Sequence, residues 1–142
     1  MDTPSWKCMQ PLRIPGGWTV LYNKLEDLEP EELPPDDRGW LFSFNEDILH
    51  ICKTAARKRN KQVETQKLIL DLGWYPDSDP SGSFRLEAIL NDDWIKPLLT
   101  FSSRSKQEIV DTLEYWLFHE FMPPYFIEET VFRRNHRNQS AT

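Results

Sequence analysis

Seven acidic and aromatic residues lie in or beside the turns of this chain, and their types suggest two kinds of chemistry. Grouped carboxylates can perform acid–base catalysis or hold a cation. Carboxylates beside rigid rings can instead form a protein interface, because acids steer a cationic partner and rings supply buried anchors. Turn formation and core packing are the simpler explanation for the same residue types. The seven residues are Trp74, Tyr75, Asp77, Asp79, Asp92, Asp93 and Trp94.

The metal-binding motifs in the sequence are incomplete. Residues 77–82 begin like a calcium loop, but Ala88 stands at the twelfth position, where a bidentate glutamate is needed. His119 and Glu120 begin a zinc-protease motif, but Pro123 stands where the second histidine is required. We therefore predict no metal site and no cofactor.

A nucleophile paired with a base is not evident either. His50 and Cys52 could form such a pair. However, positions two apart do not face each other on a helix, and the sequence indicates no acid that would orient the histidine. We predict no catalytic residue, and we assign the seven residues above to the binding of another protein.

Charge is distributed unevenly along the chain. The formal net charge is −6, from 17 basic and 23 acidic residues, and eight of the basic residues occur in two short runs. Removing those 8 from the 17 leaves 9 against 23, or −14 for the rest. An acidic body favours a cationic partner and disfavours direct contact with nucleic acid or membranes. The runs are Lys53, Arg57, Lys58, Arg59 and Lys61, then Arg133, Arg134 and Arg137.

The first basic run is predicted to be a solvated loop or the end of a helix. Binding of nucleic acid would need more cationic surface than this run provides. We therefore expect neither nucleic acid nor membrane as a partner.

The length of 142 residues is typical of one domain with a real core. Residues 1–17, rich in proline and glycine, are predicted to be an irregular lead-in, and residues 133–142 a frayed polar tail. We find neither a secretory leader nor an apolar run long enough to span a membrane. Two cysteines without metal-like spacing then favour free thiols in the cytoplasm.

Alternating apolar residues predict four or five strands. A proline-rich acidic loop is expected at 26–37, with one helical turn at 31–33. Residues 45–56 remain open between a helix capped by Asn45 and an extension of the preceding strand. Short turns between successive strands predict an antiparallel meander. The predicted strands centre on residues 18–23, 40–44, 67–75, 84–90 and 98–101.

A C-terminal amphipathic helix should cover one face of this sheet. Ser105 and Glu108 fit a capping box, in which each side chain bonds the backbone N–H of the other residue. Ile109, Leu113 and Leu117 follow at helical spacing. Pro123-Pro124 should end the helix. The predicted class is α+β, an antiparallel meander with this helix packed on one face.

One set of sequence segments forms a recognisable pattern between roughly residues 14 and 118. Its members are 18–23, 40–49 and 70–80, then Arg85-Leu86, Asp93-Trp94 and Ser103-Arg104-Ser105, with Ile109, Trp116 and Leu117. In this pattern the sequence resembles a family of small bacterial proteins, the immunity proteins of polymorphic toxin systems, including contact-dependent growth inhibition. The shared motifs are structural, and residues 26–37 and 53–66 have no counterpart in the family pattern.

This resemblance implies a cytoplasmic inhibitor that binds one cognate toxin domain and blocks its active site. It identifies no contact residue, so the seven residues rest on the charge and ring argument alone. Two alternatives stay open. One is a small metal- or carboxylate-dependent enzyme that uses Asp77, Asp79, Asp92 and Asp93, and the other is a cytoplasmic scaffold protein unrelated to toxins.

Overall fold

Five strands form one antiparallel sheet in chain order, as the turn signals predicted. The structure, a computed structural model, describes residues 9–120 apart from the side chains of residues 55, 57, 59 and 120. Each strand pairs with the next, so β1 and β5 are the two edges. The α+β meander is confirmed. The strands are β1 (Thr19–Asn23), β2 (Leu49–Arg59), β3 (Gln62–Tyr75), β4 (Ser83–Leu90) and β5 (Leu99–Ser103).

Alternation along the strands places most apolar residues on one face, whereas the opposite face is more polar and buries only the paired Ile69 and Ile89 among its larger aliphatic residues in the described strands. The C-terminal helix α2 (Lys106–Tyr115), continued by a π-helical turn at Trp116–Glu120, packs its apolar residues into one core with the apolar strand positions. This side is called the helix-covered face. Its buried residues include Leu49, Ile51, Leu68, Leu70, Leu72, Trp74, Phe84, Leu86, Ala88, Ile109, Val110, Leu113, Trp116 and Leu117. In the described part of the chain no helix covers the opposite side, called the helix-free face.

The capping box of α2 is half confirmed. The Ser105 hydroxyl accepts from the N–H of Glu108 at 3.1 Å, as expected. The Glu108 carboxylate, however, accepts from the hydroxyl of Ser103 at 2.5 Å and not from the N–H of Ser105. That N–H donates to the Ser103 hydroxyl at 2.9 Å. The Ser103 hydroxyl therefore bridges the N–H of Ser105 and the carboxylate of Glu108, which a complete capping box would join directly.

A strand was predicted at 40–44, and this prediction is wrong. The segment is a short helix, α1 (Gly39–Ser43). Trp40 and Phe44 are four residues apart, so a helical backbone places both rings on one side, with their centroids 4.5 Å apart. Phe42, which a strand would place on the same side as these two rings, is 73% exposed, and Leu41 is 63% exposed. Core packing of two rings therefore decided the local structure.

The first basic run was predicted to be a loop or a helix end, and this is also wrong. Of the two alternatives for residues 45–56, a helix or a strand, the structure has a strand from Leu49 onward. This strand, β2, includes most of the basic run and ends at Arg59. Asn60 and Lys61, at φ of 53° and 65°, form the two-residue turn into β3. The helical turn of the acidic loop is a 3₁₀ helix at Pro30–Glu32.

The N-terminal segment is tied to the start of α2. Lys106 is 5% exposed, and its ammonium donates to Gln10 Oε1 and Asp27 Oδ1, each at 2.6 Å. The N–H of Gln10 donates to the carbonyl of Leu25 at 3.0 Å. The predicted end of the helix at Pro123-Pro124, the polar tail 133–142 and the first eight residues of the lead-in lie outside the described residues.

Candidate functional site

One row of side chains crosses the helix-free face, with one residue from each strand. Strand register places Tyr22 opposite His50, His50 opposite Asp71, Asp71 opposite Glu87, and Glu87 opposite Thr100. Directly opposite residues on one face are close enough to interact. We call these five residues the polar row. The row brings ionisable groups together from parts of the chain that lie far apart in sequence.

A histidine–carboxylate pair forms the centre of the polar row. His50 Nδ1 lies 3.3 Å from Asp71 Oδ1, and the two side chains are only 17% and 13% exposed. Burial raises the pKa of Asp71 above its ordinary value, and His50 opposes this shift. The charges of Glu87 and Asp47 raise it further. The carboxylate of Asp71 is therefore incompletely compensated by its own neighbours.

Two acids stand directly opposite each other in the row. Asp71 and Glu87 are register partners on β3 and β4, an arrangement that destabilises a sheet. Glu87 is 3.7 Å from the Nε of Arg85, a long ion pair. The Arg85 guanidinium instead stacks 3.8 Å above the ring centre of Tyr75, and its Nε is buried without a hydrogen bond. The fold thus concentrates negative charge here without neutralising it fully.

Aromatic rings flank the charges on the same face. The ring centroids of Tyr22 and Trp94 lie 5.7 Å and 6.3 Å from that of His50. The Tyr22 hydroxyl donates to Asp47 at 3.3 Å. Burial and the nearby charges of Asp71 and Asp47 raise the pKa of Tyr22 to about 12. At neutral pH this phenol is therefore a neutral hydrogen-bond donor.

A close backbone crossing positions Asp47 beside the row. Gly73 follows Asp71 on the same face, and a Cβ at Gly73 would lie 2.3 Å from the carbonyl oxygen of Glu46. The N–H of Trp74 also donates to the carbonyl of Asn45 at 2.9 Å. The segment before β2 therefore rests directly on β3, and only glycine permits that approach.

Trp74 was predicted to be an interface residue, and the structure corrects this. Its side chain is fully buried on the helix-covered face, where it packs against Phe44 and Phe84. Its indole N–H donates to the carbonyl of Asp79 at 2.7 Å. A residue with no exposed surface cannot contact a partner, so Trp74 belongs to the core.

The four predicted aspartates do not converge. Asp77 and Asp79 lie on the β3–β4 loop, whereas Asp92 and Asp93 lie on the β4–β5 loop. The eight residues of β4 separate the two loops by roughly 25 Å. The enzyme alternative required these carboxylates to share one pocket, and the described geometry does not provide it.

All four aspartates have partners within the fold. Asp77 accepts from the hydroxyl of Ser78 at 2.6 Å. Asp79 accepts from the N–H and hydroxyl of Ser81, and these hydrogen bonds lower its pKa. Asp92 pairs with Lys67 at 2.8 Å, and Asp93 accepts from the N–H of Lys96 at 3.2 Å. Tyr75 and Trp94 are the predicted residues whose rings lie near the polar row.

His50 and Cys52 share one face of the sheet, which the helix considered from the sequence did not allow. Both residues lie on β2, where positions two apart point to the same side. Asp71 also provides the orienting acid that the sequence did not reveal. However, such positions are separated by roughly 7 Å along a strand. Among the described contacts, no hydrogen bond joins the Cys52 thiol to the imidazole.

Asp71 and Glu87 were missed as site residues, yet the sequence contained a usable signal. Each is an acidic residue with an apolar residue on either side of it in the strand, and it faces away from the core positions. A two-residue turn at Asn60-Lys61 fixes the β2–β3 register and so sets His50 opposite Asp71. The hairpin was not recognised because the basic run has low strand propensity.

A cavity of about 400 Å³ lies elsewhere, between α2 and the N-terminal segment. Arg13 and Glu114, which form an ion pair at 3.1 Å, contribute to its wall. No polar-row residue lines it. Within residues 9–120, no group of three or more His, Cys, Asp and Glu side chains is arranged to hold a metal ion. No helix in that range is long and apolar enough to span a membrane.

Comparison of the chain with family models, curated proteins and solved structures finds no match. The resemblance to immunity proteins of toxin systems therefore stays a prediction.

Proposed function

We propose that this chain is a cytoplasmic bacterial immunity protein that binds one cognate toxin domain and blocks its active site. In this proposal the protein acts by binding and carries out no reaction of its own. The sequence pattern of residues 14–118 supports the class, and the acidic body supports a cationic partner. Many toxins that act on nucleic acid have cationic clefts, which match such a body in sign.

The polar row is the observation that carries the proposal. Opposed acids weaken a sheet, and the contacts of Asp71 with His50 and of Glu87 with Arg85, at 3.3 Å and 3.7 Å, offset this only in part. Residues that break a local folding rule without full compensation are expected at functional sites. An arginine or lysine from a partner would supply the missing positive charge. Hydrogen bonds to such a buried charge pair are stronger than those between neutral groups.

The rings beside the row provide the other half of an interface. Trp94 is 46% exposed, and its ring neighbours that of His50. Tyr22 and Tyr75 are partly exposed on the same face. Exposed rings around a central charged group are typical of the residues that dominate binding energy. We place the contact surface on the helix-free face, with Asp92 and Asp93 at its rim.

The loop that carries Asp77 and Asp79 lies at the other end of β4. A standard interface buries about 800 Å² on each partner, an area that can cover one sheet face without both ends. The proposal therefore centres on the polar row and Trp94, and it leaves Asp77 and Asp79 outside the central contacts.

Co-expression with the toxin encoded beside this gene tests the function. The chain should protect the host cell, and a pull-down from the native host should recover the toxin. Failure of both experiments would reject the immunity function.

A charge-neutralising double variant tests the surface. Asp71→Asn with Glu87→Gln should weaken toxin binding by about 100-fold, because a partner cation would lose both acceptor charges. The matched control is Asp36→Asn with Asp111→Asn, which removes two exposed charges away from the row. Calorimetric titration against the purified toxin domain provides the comparison. Equal losses in both variants would contradict the assigned surface while leaving the immunity function intact.

A further inference from the structure

The β2–β3 hairpin extends beyond the rest of the sheet as a two-stranded arm. β1 pairs with β2 only as far as Cys52, and β4 pairs with β3 only from Leu68 onward. Six rungs remain, from the Thr54–Lys67 pair to the Arg59–Gln62 pair beside the turn. At roughly 3.4 Å per rung, the arm projects about 20 Å. We call residues 54–67 the basic arm.

Charge on the basic arm is opposite to charge on the rest of the molecule. The arm contains five cationic residues and one acidic residue, which gives it a net charge of +4. Since the whole chain has a net charge of −6, the residues outside the arm carry −10. Lys58 and Lys61 are exposed. Lys67, at the base, pairs with Asp92 at 2.8 Å. The cationic positions therefore lie mainly towards the tip, away from the acidic body.

The composition of the arm distinguishes between possible partners. Protein interfaces depend on buried aromatic and apolar anchors. The arm has no aromatic residue, and Val63, 62% exposed, is its one residue larger than alanine that is purely apolar. Apart from Glu64 and two alanines, its other positions are hydroxyl, amide and cationic residues, which are the groups that contact phosphate oxygens. This composition favours a phosphate backbone over an acidic protein surface.

We infer that the basic arm binds the phosphate backbone of duplex nucleic acid. A two-stranded β-ribbon fits the major groove of B-DNA, which is about 12 Å wide. The sequence predicted no direct contact with nucleic acid, because a loop or helix end would present too little cationic surface. The fold changes that premise: the run is one strand of a paired ribbon and is held away from the repelling body. The inference uses residues outside the polar row and does not depend on the immunity function.

Lysines on exposed strand edges have another use, since they prevent edges from pairing with other chains. An arm that served only this purpose would have no affinity for nucleic acid. Binding measurements can therefore separate the two roles.

Fluorescence anisotropy of a labelled 20-base-pair DNA duplex tests the inference with the full chain. We expect binding at 50 mM salt that weakens steeply with salt, with a slope of log K against log salt of about −3 to −4 for about four phosphates. The double variant Lys58→Gln with Lys61→Asn should reduce the magnitude of that slope by about 2 and the affinity by about 100-fold at 50 mM salt. Asparagine is chosen because residue 61 has a positive φ, which asparagine tolerates.

A control of equal charge is Lys24→Gln with Lys96→Gln, two exposed lysines outside the arm. It should leave binding unchanged. Thermal melts by circular dichroism establish that both variants fold, and Lys58→Arg should retain full binding because it keeps the charge.

Four outcomes would overturn the inference. The first is absence of binding at 50 mM salt, and the second is an equal loss in the control variant. The third is displacement of the duplex by polyglutamate as efficiently, charge for charge, as by unlabelled duplex, which would indicate an acidic protein as partner. The fourth is a dimer, detected by sedimentation at low salt, that does not form in the Lys58→Gln, Lys61→Asn variant. This result would indicate that the arm binds the acidic face of a second copy.

Discussion

The two faces of the sheet differ in what their side chains contribute, although the same strands build both. On the helix-covered face, neighbouring strands place leucine, isoleucine and aromatic side chains against α2. On the helix-free face, the same strands align the polar row. The first face removes apolar area from water, which is the main source of folding free energy. The second groups like charges, which opposes folding.

This difference places alternate residues of the same strands in two environments: one set stabilises the core, and the other forms the polar row. Leu70 and Leu72 flank Asp71 in sequence, yet they point to the other side. The polar-row position of a strand can therefore be altered with little effect on the core. We expect substitutions on the helix-covered face to change mainly the free energy of unfolding. Substitutions in and beside the polar row should change mainly the affinity for a partner.

The largest expected effect is on the helix-covered face. Trp74→Ala should lower the free energy of unfolding by about 3–5 kcal/mol, because it leaves a cavity between the rings of Phe44 and Phe84. Urea denaturation followed by fluorescence measures this change. A loss below about 1 kcal/mol would contradict the assignment of Trp74 to the core.

A smaller loss is expected at one position of the helix-free face. Gly73→Ala should cost about 1–3 kcal/mol, because the added methyl group would overlap the carbonyl of Glu46 and force the backbone apart. Gly16→Ala serves as the matched control, since a Cβ there meets no atom within 4 Å. Equal effects of the two substitutions in thermal melts would show that the backbone crossing is not tight.

Asp71→Asn should stabilise the protein at pH 7 by about 0.2–1 kcal/mol, because it removes one of two directly opposed charges. The sign depends on pH. Since burial raises the pKa of Asp71, its contribution to stability is complete below the unfolded value, near 3.8, and is lost as the pH rises through the folded value. The advantage of the variant should therefore be present at pH 7 and shrink towards pH 4. A variant that is less stable than the parent at pH 7 would indicate that Asp71 is fully compensated in the fold.

The smallest effect on stability should come from Trp94→Ala. Its side chain is 46% exposed, and we expect a change within about 0.5 kcal/mol. The same substitution should weaken toxin binding by at least about 2 kcal/mol, or 30-fold, if Trp94 anchors the proposed interface. Calorimetry and urea denaturation on one protein preparation give both numbers. A large loss of stability would instead assign Trp94 to the fold.

The sequence was informative wherever strand alternation and turn chemistry agreed. The faces of β3 and β4 follow directly from their alternating residues, and the N-cap at Ser105 follows from its type and position. It was uninformative where packing between distant residues decided the outcome. Trp40 and Phe44 satisfy a strand pattern and a helix pattern alike, and only the core against Trp74 distinguishes them.

The candidate site was predicted less well than the fold, for a geometric reason. The aspartates in the two loops were predicted to form one site because they are close together in sequence. The two loops, however, lie at opposite ends of β4. The polar row exists only through the register of four strand pairs, which single-residue patterns do not reveal.

The buried ammonium of Lys106 has a consequence for how the chain matures during translation. Its acceptors, Gln10 and Asp27, emerge from the ribosome long before it does. Until residue 106 follows, the early segment lacks the cation that fixes it, and the sheet lacks its covering helix. A nascent chain stalled short of that residue should leave its apolar surface open to chaperones, and release of the whole covering helix, through Leu117, should close it.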